Sequence, residues 1–314
     1  MLMHSDDSFR RGPIVVALVL SIVLVVGVLV GAKLVYDKAA HQPVAMSDVG
    51  SPLGDSVQCQ EFLEALPERV LGHKRAQIAD PAPAGAAAWQ SDSTRRVTIR
   101  CGVDAPLQFT ALSERIDAAN AEWIEVGDAT PGSTLRTWYS VDRFPIVAVT
   151  ADAEALGDHA NPLEELGGAV STLESKETKP HPIPLTDLQV HAGEAHSATC
   201  RALLKSVPDS FGKDITYRKN TTVSLPDGSA VWTAAGFEPV VLRCGVEFPK
   251  SYKAGERLNQ INSVPWFEDT TLRNGTTAST HYALDQKATV AVNLPHEAGN
   301  AALVAITEAL ESIR

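Results

Sequence analysis

The chain is poor in the motifs that usually announce an enzyme. It has no H-E-x-x-H zinc helix, no G-x-S-x-G nucleophile elbow, no phosphate loop and no dinucleotide fingerprint. Ser210-Phe-Gly-Lys213 matches the S-x-x-K of penicillin-binding enzymes, but the K-T-G strand and S-D-N loop that complete such a site are missing. Basic side chains are scarce as well. The net charge is −11; residues 1–38 hold four basic and three acidic groups, which leaves −12 on the remainder. That excess argues against nucleic acid, whose phosphates demand a basic surface. It argues equally against docking on anionic lipid headgroups. The four cysteines form no C-x-x-C or close Cys/His pair, so a structural zinc site is not expected. His191, Glu194 and His196 lie close together after His181, a spacing that suits zinc or copper. Their segment is Pro-rich and supplies no second shell to fix ligands, so solvated histidines are the simpler reading. No catalytic, cofactor-binding or metal set is therefore expected.

What the chain does have is a repeat. Shifted by 143 positions, Trp89 falls on Trp232, and Arg100-Cys101-Gly102-Val103 falls on Arg243-Cys244-Gly245-Val246. Pro106 meets Pro249, Trp123 meets Trp266, Tyr139 meets Tyr282, Asp142 meets Asp285, and Val147-Ala-Val149 meets Val290-Ala-Val292. One fold module is present twice. A residue kept in both copies is expected to serve the fold, and one found in a single copy is the better functional candidate. The length of 314 residues suits two domains, each able to bury its own core.

Pro13 to Ala32 carries no charge and is almost entirely aliphatic. Twenty such residues in a helix rise about 30 Å, enough to cross a hydrocarbon core. A cleaved signal peptide would have a shorter apolar stretch and a small-x-small cleavage site, so an uncleaved anchor is expected. No cysteine follows the run, which excludes a bacterial lipoprotein anchor. Arg10 and Arg11 favour a cytoplasmic N-terminus, opposed by Lys33 and Lys38 on the far side. Cys59 and Cys101 lie in copy one, Cys200 and Cys244 in copy two. Of the three possible connectivities, only Cys59–Cys101 with Cys200–Cys244 treats both copies alike without crossing between them. Disulfides imply an oxidising compartment, hence modules outside the cytoplasmic membrane.

The expected organisation is a cytoplasmic N-terminus (1–12), a transmembrane anchor (13–36), a tether (37–55), module one (56–175), a Pro-rich linker (176–196) and module two (197–314). Each module opens on a short helix bearing its first cysteine, stopped by Pro67 or Pro208. Val97–Cys101 and Val240–Gly245 are β-branched and apolar, as strands are. Leu112, Arg115, Ile116 and Ala119 recur at helical spacing, so a helix ending near Asn120 is expected. Strands around Trp123, around Trp138-Tyr139 and over Ile146–Thr150 follow as an antiparallel meander. Closing helices are expected over Pro162–Leu173 and Asn300–Ile313. The class is α+β: two tandem modules, each an antiparallel sheet with helices on one face.

Copy one carries Cys59-x-x-Phe-Leu-x-x-Leu66-Pro67, Ala79-Asp80-Pro81-Ala82-Pro83, Ala87-Ala88-Trp89, Arg100-Cys101-Gly102-Val103-x-x-Pro106 and Thr137-Trp138-Tyr139-Ser140-Val141-Asp142-Arg143. Together these resemble an actinobacterial membrane-anchored family catalogued as a domain of unknown function, number 3515. The resemblance implies an envelope protein with an extracytoplasmic module, and it implies no activity. Copy two departs from the pattern. It has Val223-Ser-Leu-Pro-Asp-Gly228 for the Asp-Pro-Ala-Pro stretch, and His281 and Gln286 where copy one has Trp138 and Arg143.

Trp89, Trp232, Trp123 and Trp266 read as core. Arg100 and Arg243 read as structural partners of Asp142 and Asp285, Tyr282 again as scaffold. Trp138, Tyr139 and Arg143 are the candidate interaction patch, because Trp, Tyr and Arg anchor interfaces. The expected function is a non-catalytic envelope protein that binds a partner protein or a wall polymer. One alternative is an enzyme acting on peptidoglycan or another wall glycan, whose two carboxylates sequence spacing cannot reveal. Another is a scaffold in which copy two packs on copy one as a built-in dimer.

Overall fold

A computed structural model describes residues 11–40, 42–270 and 276–314. The first helix, α1 (Arg11–Ala40), has no polar face. Its stretch Val15–Val35 has a mean hydropathy of 3.1, and none of it is buried in the protein. It is long and apolar enough to cross a membrane. The expected cytoplasmic segment 1–12 falls almost wholly outside the described residues.

Module one begins at α2 (Val57–Glu64), where the Ser56 hydroxyl accepts from the Cys59 N–H at 3.3 Å. That cap supplies a partner for a helix-end donor that has none within the helix. Its strands are β1 (Arg69–Val70), β2 (His73–Ala76), β3 (Ala86–Gln90), β4 (Arg96–Val103), β5 (Arg115–Ala118), β6 (Ala121–Gly127), β7 (Arg136–Ser140), β8 (Arg143–Phe144) and β9 (Ile146–Ala151). Seven of these and β9 build an antiparallel sheet in the order β1-β2-β3-β4-β9-β7-β6-β5, from which β8 is left out. Short helices α3 (Ala153–Leu156) and α4 (Gly167–Val170) follow, and β10 (Glu174–Ser175) pairs with β8. Module two repeats the plan. It has α5 (Ala198–Ser206), β11 (Ser210–Phe211), β12 (Tyr217–Lys219), β13 (Ser229–Thr233), β14 (Val240–Cys244), β15 (Leu258–Ile261), β16 (Val264–Asp269), β17 (Ser279–Ala283), β18 (Val290–Leu294) and α6 (Gly299–Ser312). Its sheet order is β11-β12-β13-β14-β18-β17-β16-β15, the same path as module one.

Alternation sorts each strand into two faces. On β4, Val97, Ile99 and Cys101 enter one core with Cys59 and Phe62 of α2, Leu163, Leu166 and Val170. Trp89, Trp123 and Trp138 lie fully buried there. In module two, Leu242 and Cys244 join Trp232, Trp266 and the inner face of α6. Burying each such large side chain contributes about 1.5–3 kcal/mol. The Cys59–Cys101 and Cys200–Cys244 disulfides staple α2 to β4 and α5 to β14.

Three expectations are corrected. The segment near 112–120 is a strand and a tight turn, not a helix: Ala119 and Asn120 have φ of 51° and 61°, joining β5 to β6. Two successive left-handed residues suit a two-residue hairpin, and Ile116 and Ala118 alternate with exposed Arg115 and Asp117 at strand period. The closing helix of copy one is broken into the turn Glu164–Leu166 and the four-residue α4, where Gly167-Gly168 weakens helix formation. Copy two has Leu310-Glu311 at the positions of that glycine pair and makes a helix of fourteen residues.

The third correction concerns the two connecting segments, which are laid against the modules. In the expected tether, Val44 is buried and bridges Ile78, the Gln42 carbonyl accepts from Gln90, and Leu53 N–H donates to the Gly102 carbonyl. In the expected linker, Leu185 is buried, and Ile183, Leu188 and Val190 pack beneath the second sheet. Backbone hydrogen bonds hold both segments, and hydrophobic periodicity does not report those. Gly102 and Gly245 have φ of 83° in both copies. A Cβ on Gly102 would overlap the Leu53–Gly54 backbone, and one on Gly245 would lie 2.7 Å from the Ala195 nitrogen. The Arg-Cys-Gly triplet is thus written twice because a connecting segment crosses it twice.

Candidate functional site at the module junction

The residues singled out in the sequence mostly serve the scaffold. The Trp89 and Trp232 indoles donate to the Pro67 and Pro208 carbonyls at 2.9 and 2.8 Å. Trp123 donates to the Ala118 carbonyl, and Trp266 to the Thr307 hydroxyl. Arg100 does not pair with Asp142, nor Arg243 with Asp285. Arg100 donates to the Ser47 carbonyl, and Arg243 to the carbonyls of Leu185, Thr186 and Leu188. Each arginine holds the segment that precedes its module. Asp142 accepts from the Glu122 N–H at 2.9 Å and pairs with Arg143, whereas Asp285 is exposed at a turn with φ of 57°. Tyr282 is buried under the second sheet.

The expected patch does not form a surface. Trp138 is fully buried on the helix-covered face, and Tyr139 points to the opposite face among Phe109, Ile124 and Val141. Arg143 is turned inward, bonded to Asp142, Ser175 and the Asn120 carbonyl. Adjacent residues of a strand cannot share a face, and that alone separates Trp138 from Tyr139. His281, the counterpart of Trp138, is likewise buried in the core beside Ser279. Ser210 and Lys213 are exposed at a sheet edge. His191 and Glu194 belong to a turn, while His196 pairs with Asp227 at 3.3 Å in solvent. Among the described residues no three His, Cys, Asp or Glu side chains are grouped to hold a metal ion.

The junction between the modules carries what the sequence reading missed. Gly127 N–H of β6 donates to the Gly236 carbonyl at 2.7 Å, and Gln108 reaches the Glu238 carboxylate at 3.4 Å. A Cβ on Gly127 would come to 3.0 Å from the Phe237 ring and press it aside. Leu112 of module one packs with the core under the second sheet. Three adjoining hollows of about 550, 450 and 340 Å³ open here, and all three are lined by Gln108.

Three carboxyl groups line the 450 Å³ hollow: Asp128, which accepts from its own turn at Thr130, and the pair Glu238 and Glu297. Glu238 is 7% exposed; burial pushes its pKa up, and the nearby Glu297 charge adds to the effect. Burial also raises Glu297, which accepts from the Tyr217 hydroxyl at 3.3 Å and leaves its other oxygen buried without a partner. Both groups therefore hold a proton more tightly than an ordinary carboxyl does. The 340 Å³ hollow lies between loop 107–110, linker residues 181–188 and the buried pair Thr280 and Asn293 of β17 and β18. Glu238 has Arg95 as its counterpart at the 143-residue spacing, so its acidity belongs to copy two alone. That asymmetry was the available signal. Sequence spacing did not show that Gln108, 130 residues earlier, would meet it.

The model of a family described as a protein of unknown function (DUF3515) matches residues 18–178 and again residues 173–313. The chain belongs to this family. Its two matches coincide with the two sheets, so each module is one copy of the family domain. No curated protein and no solved structure matches the chain.

Proposed function

We propose that this DUF3515 member is a single-pass protein of an actinobacterial cell envelope, with a cytoplasmic N-terminus and extracytoplasmic modules that bind a ligand at their junction. The apolar α1 and the two disulfides support the location. One observation carries the binding reading: the hollows meet at Gln108 and Glu238, one residue from each module, and neither recurs in the other copy. A ligand held there needs both modules, which gives the duplication a use beyond size. Concave, partly apolar sites between domains with a few convergent polar groups are where small ligands bind.

A photo-cross-linking residue at Thr222, on the rim of the 550 Å³ hollow, tests this in native membranes, with exposed Ser171 as the control position. A discrete adduct from Thr222 alone supports the junction. Equal labelling from both positions, or none from Thr222, refutes it.

One observation favours the hydrolytic alternative. Glu238 and Glu297 share a hollow and both hold protons more tightly than ordinary carboxyls, as the acid of a glycan-cleaving pair must. Turnover of a wall glycan that disappears in both E238Q and E297Q would establish that reading. Turnover unaffected by both would end it.

A further inference from the structure

The 340 Å³ hollow holds two polar atoms that the fold leaves without partners. Asn293 on β18 is 7% exposed, and its amide nitrogen donates to the Thr280 hydroxyl at 3.2 Å; its carbonyl oxygen has no partner. Turning the amide over would leave its NH₂ unpaired instead, so one end is orphaned in either orientation. Nε2 of His181, in the linker, is likewise buried and unpaired. Both side chains line this one hollow.

Copy one shows that the orphan is not required by the fold. At the same two places it has Thr137 and Thr150, whose hydroxyls lie 3.0 Å apart and satisfy each other. Copy two keeps the threonine on the first strand, as Thr280, and replaces the second with Asn293. The exchange adds a buried polar group and gives it nothing to bind, which is destabilising by itself. An occupant with a hydrogen-bond donor removes that cost.

The walls narrow the choice of occupant. Leu107, Pro182, Ile183, Pro184, Leu188 and Pro239 supply apolar contact, and no Phe, Tyr or Trp lines the hollow. A sugar ring is ordinarily held against an aromatic face, and none is offered. Asp187 also lines it, so an anion meets repulsion. The volume lies at the small end of ligand pockets and suits about two or three small residues. Resting on the junction as the binding site, we infer that this hollow takes a short peptide segment, neutral or cationic, with small apolar side chains and free amide N–H groups. Asn293 accepts from one backbone N–H, and His181 meets a second polar group of the same segment.

The test uses the full chain in detergent micelles, titrated with acetyl-tri-alanine amide and, separately, with a neutral N-acetylglucosamine trimer, and followed by calorimetry. N293T restores the paired hydroxyls of copy one, so it keeps the fold; H181A removes the second group at a half-buried position. Saturable peptide binding that weakens about tenfold in N293T and also falls in H181A, with unchanged thermal midpoints, supports the assignment. Peptide binding that is indifferent to both variants overturns it. Trimer binding without peptide binding overturns the peptide class while leaving the junction reading in place. Binding of neither probe, with the Thr222 adduct still formed, likewise rejects this occupant and keeps the junction. Loss of the adduct as well removes both.

Discussion

The guanidinium of Arg243 donates to the carbonyl oxygen of Leu185 at 2.6 Å, across 58 residues of chain. The same nitrogen reaches the Thr186 and Leu188 carbonyls at 2.8 Å, and the side chain is 6% exposed. Burial lowers its pKa from the usual value, with Asp187 opposing the shift, but an arginine remains charged in any folded protein. A buried charge satisfied by backbone carbonyls fixes the segment that carries them.

R243A should therefore destabilise the chain by about 2–3 kcal/mol, because charged hydrogen bonds are lost and carbonyls are left buried. R100A should cost less, since Arg100 is half-exposed and makes one such bond. Urea denaturation of the two variants checks the order. Limited proteolysis should find new cuts between residues 183 and 190 only in R243A.

W138A should unfold module one rather than abolish an interaction. Trp138 is 0% exposed among Trp123, Val147 and Val149, and truncating such a residue costs about 3–5 kcal/mol. Circular dichroism melting decides this. A variant as stable as the parent would restore Trp138 as an interaction residue.

Acidity at the junction has a defined sign. Burial raises Glu238 and Glu297, opposed by Gln108, Thr276 and the Thr277 backbone at the first and by Tyr217 and His296 at the second. The native state then binds protons more tightly than the unfolded chain. Its contribution is intact below the ordinary carboxyl value of about 4.3 and falls as pH rises through the raised native values. E238Q should have a shallower slope and gain on the parent in urea midpoints as pH rises above about 4.3. Parallel profiles for the two proteins would contradict it.

G245A should destabilise module two, and G102A module one, by similar amounts. Each glycine sits at φ of 83° against a crossing backbone, where a methyl meets both backbone strain and overlap. Melting curves of both variants are the check. A neutral effect in either would mean that its connecting segment moves freely.

The duplicated scaffold was legible in the sequence because its signals are local. Strands announce themselves by β-branched runs, Ser56 and Ser197 by their place before a cysteine helix, and the disulfides by parity and symmetry. The connecting segments were not legible, since main-chain hydrogen bonds from Leu53 and Val44 leave no trace in side-chain pattern. Trp138 was misread because an aromatic found in one copy only suggests function, and the reading ignored that Tyr139 beside it must face the other way. The junction escaped because Gln108 and Glu238 are far apart in sequence, and neither belongs to a recognised motif. Carried through the register of the two sheets, the rule that favours single-copy residues singles out Glu238 and Asn293, opposite Arg95 and Thr150.

The strap across module one also limits where the protein can work. Ala40 ends α1, and Val44 is already bound to the first sheet beside Ile78. Four residues of chain extend about 14 Å at most. For a chain anchored through α1, module one is therefore held within a short reach of the bilayer, like a bracket on a wall, without the freedom of a domain on a long stalk. The short connection leaves an anchored module one no means of reaching out to a distant ligand.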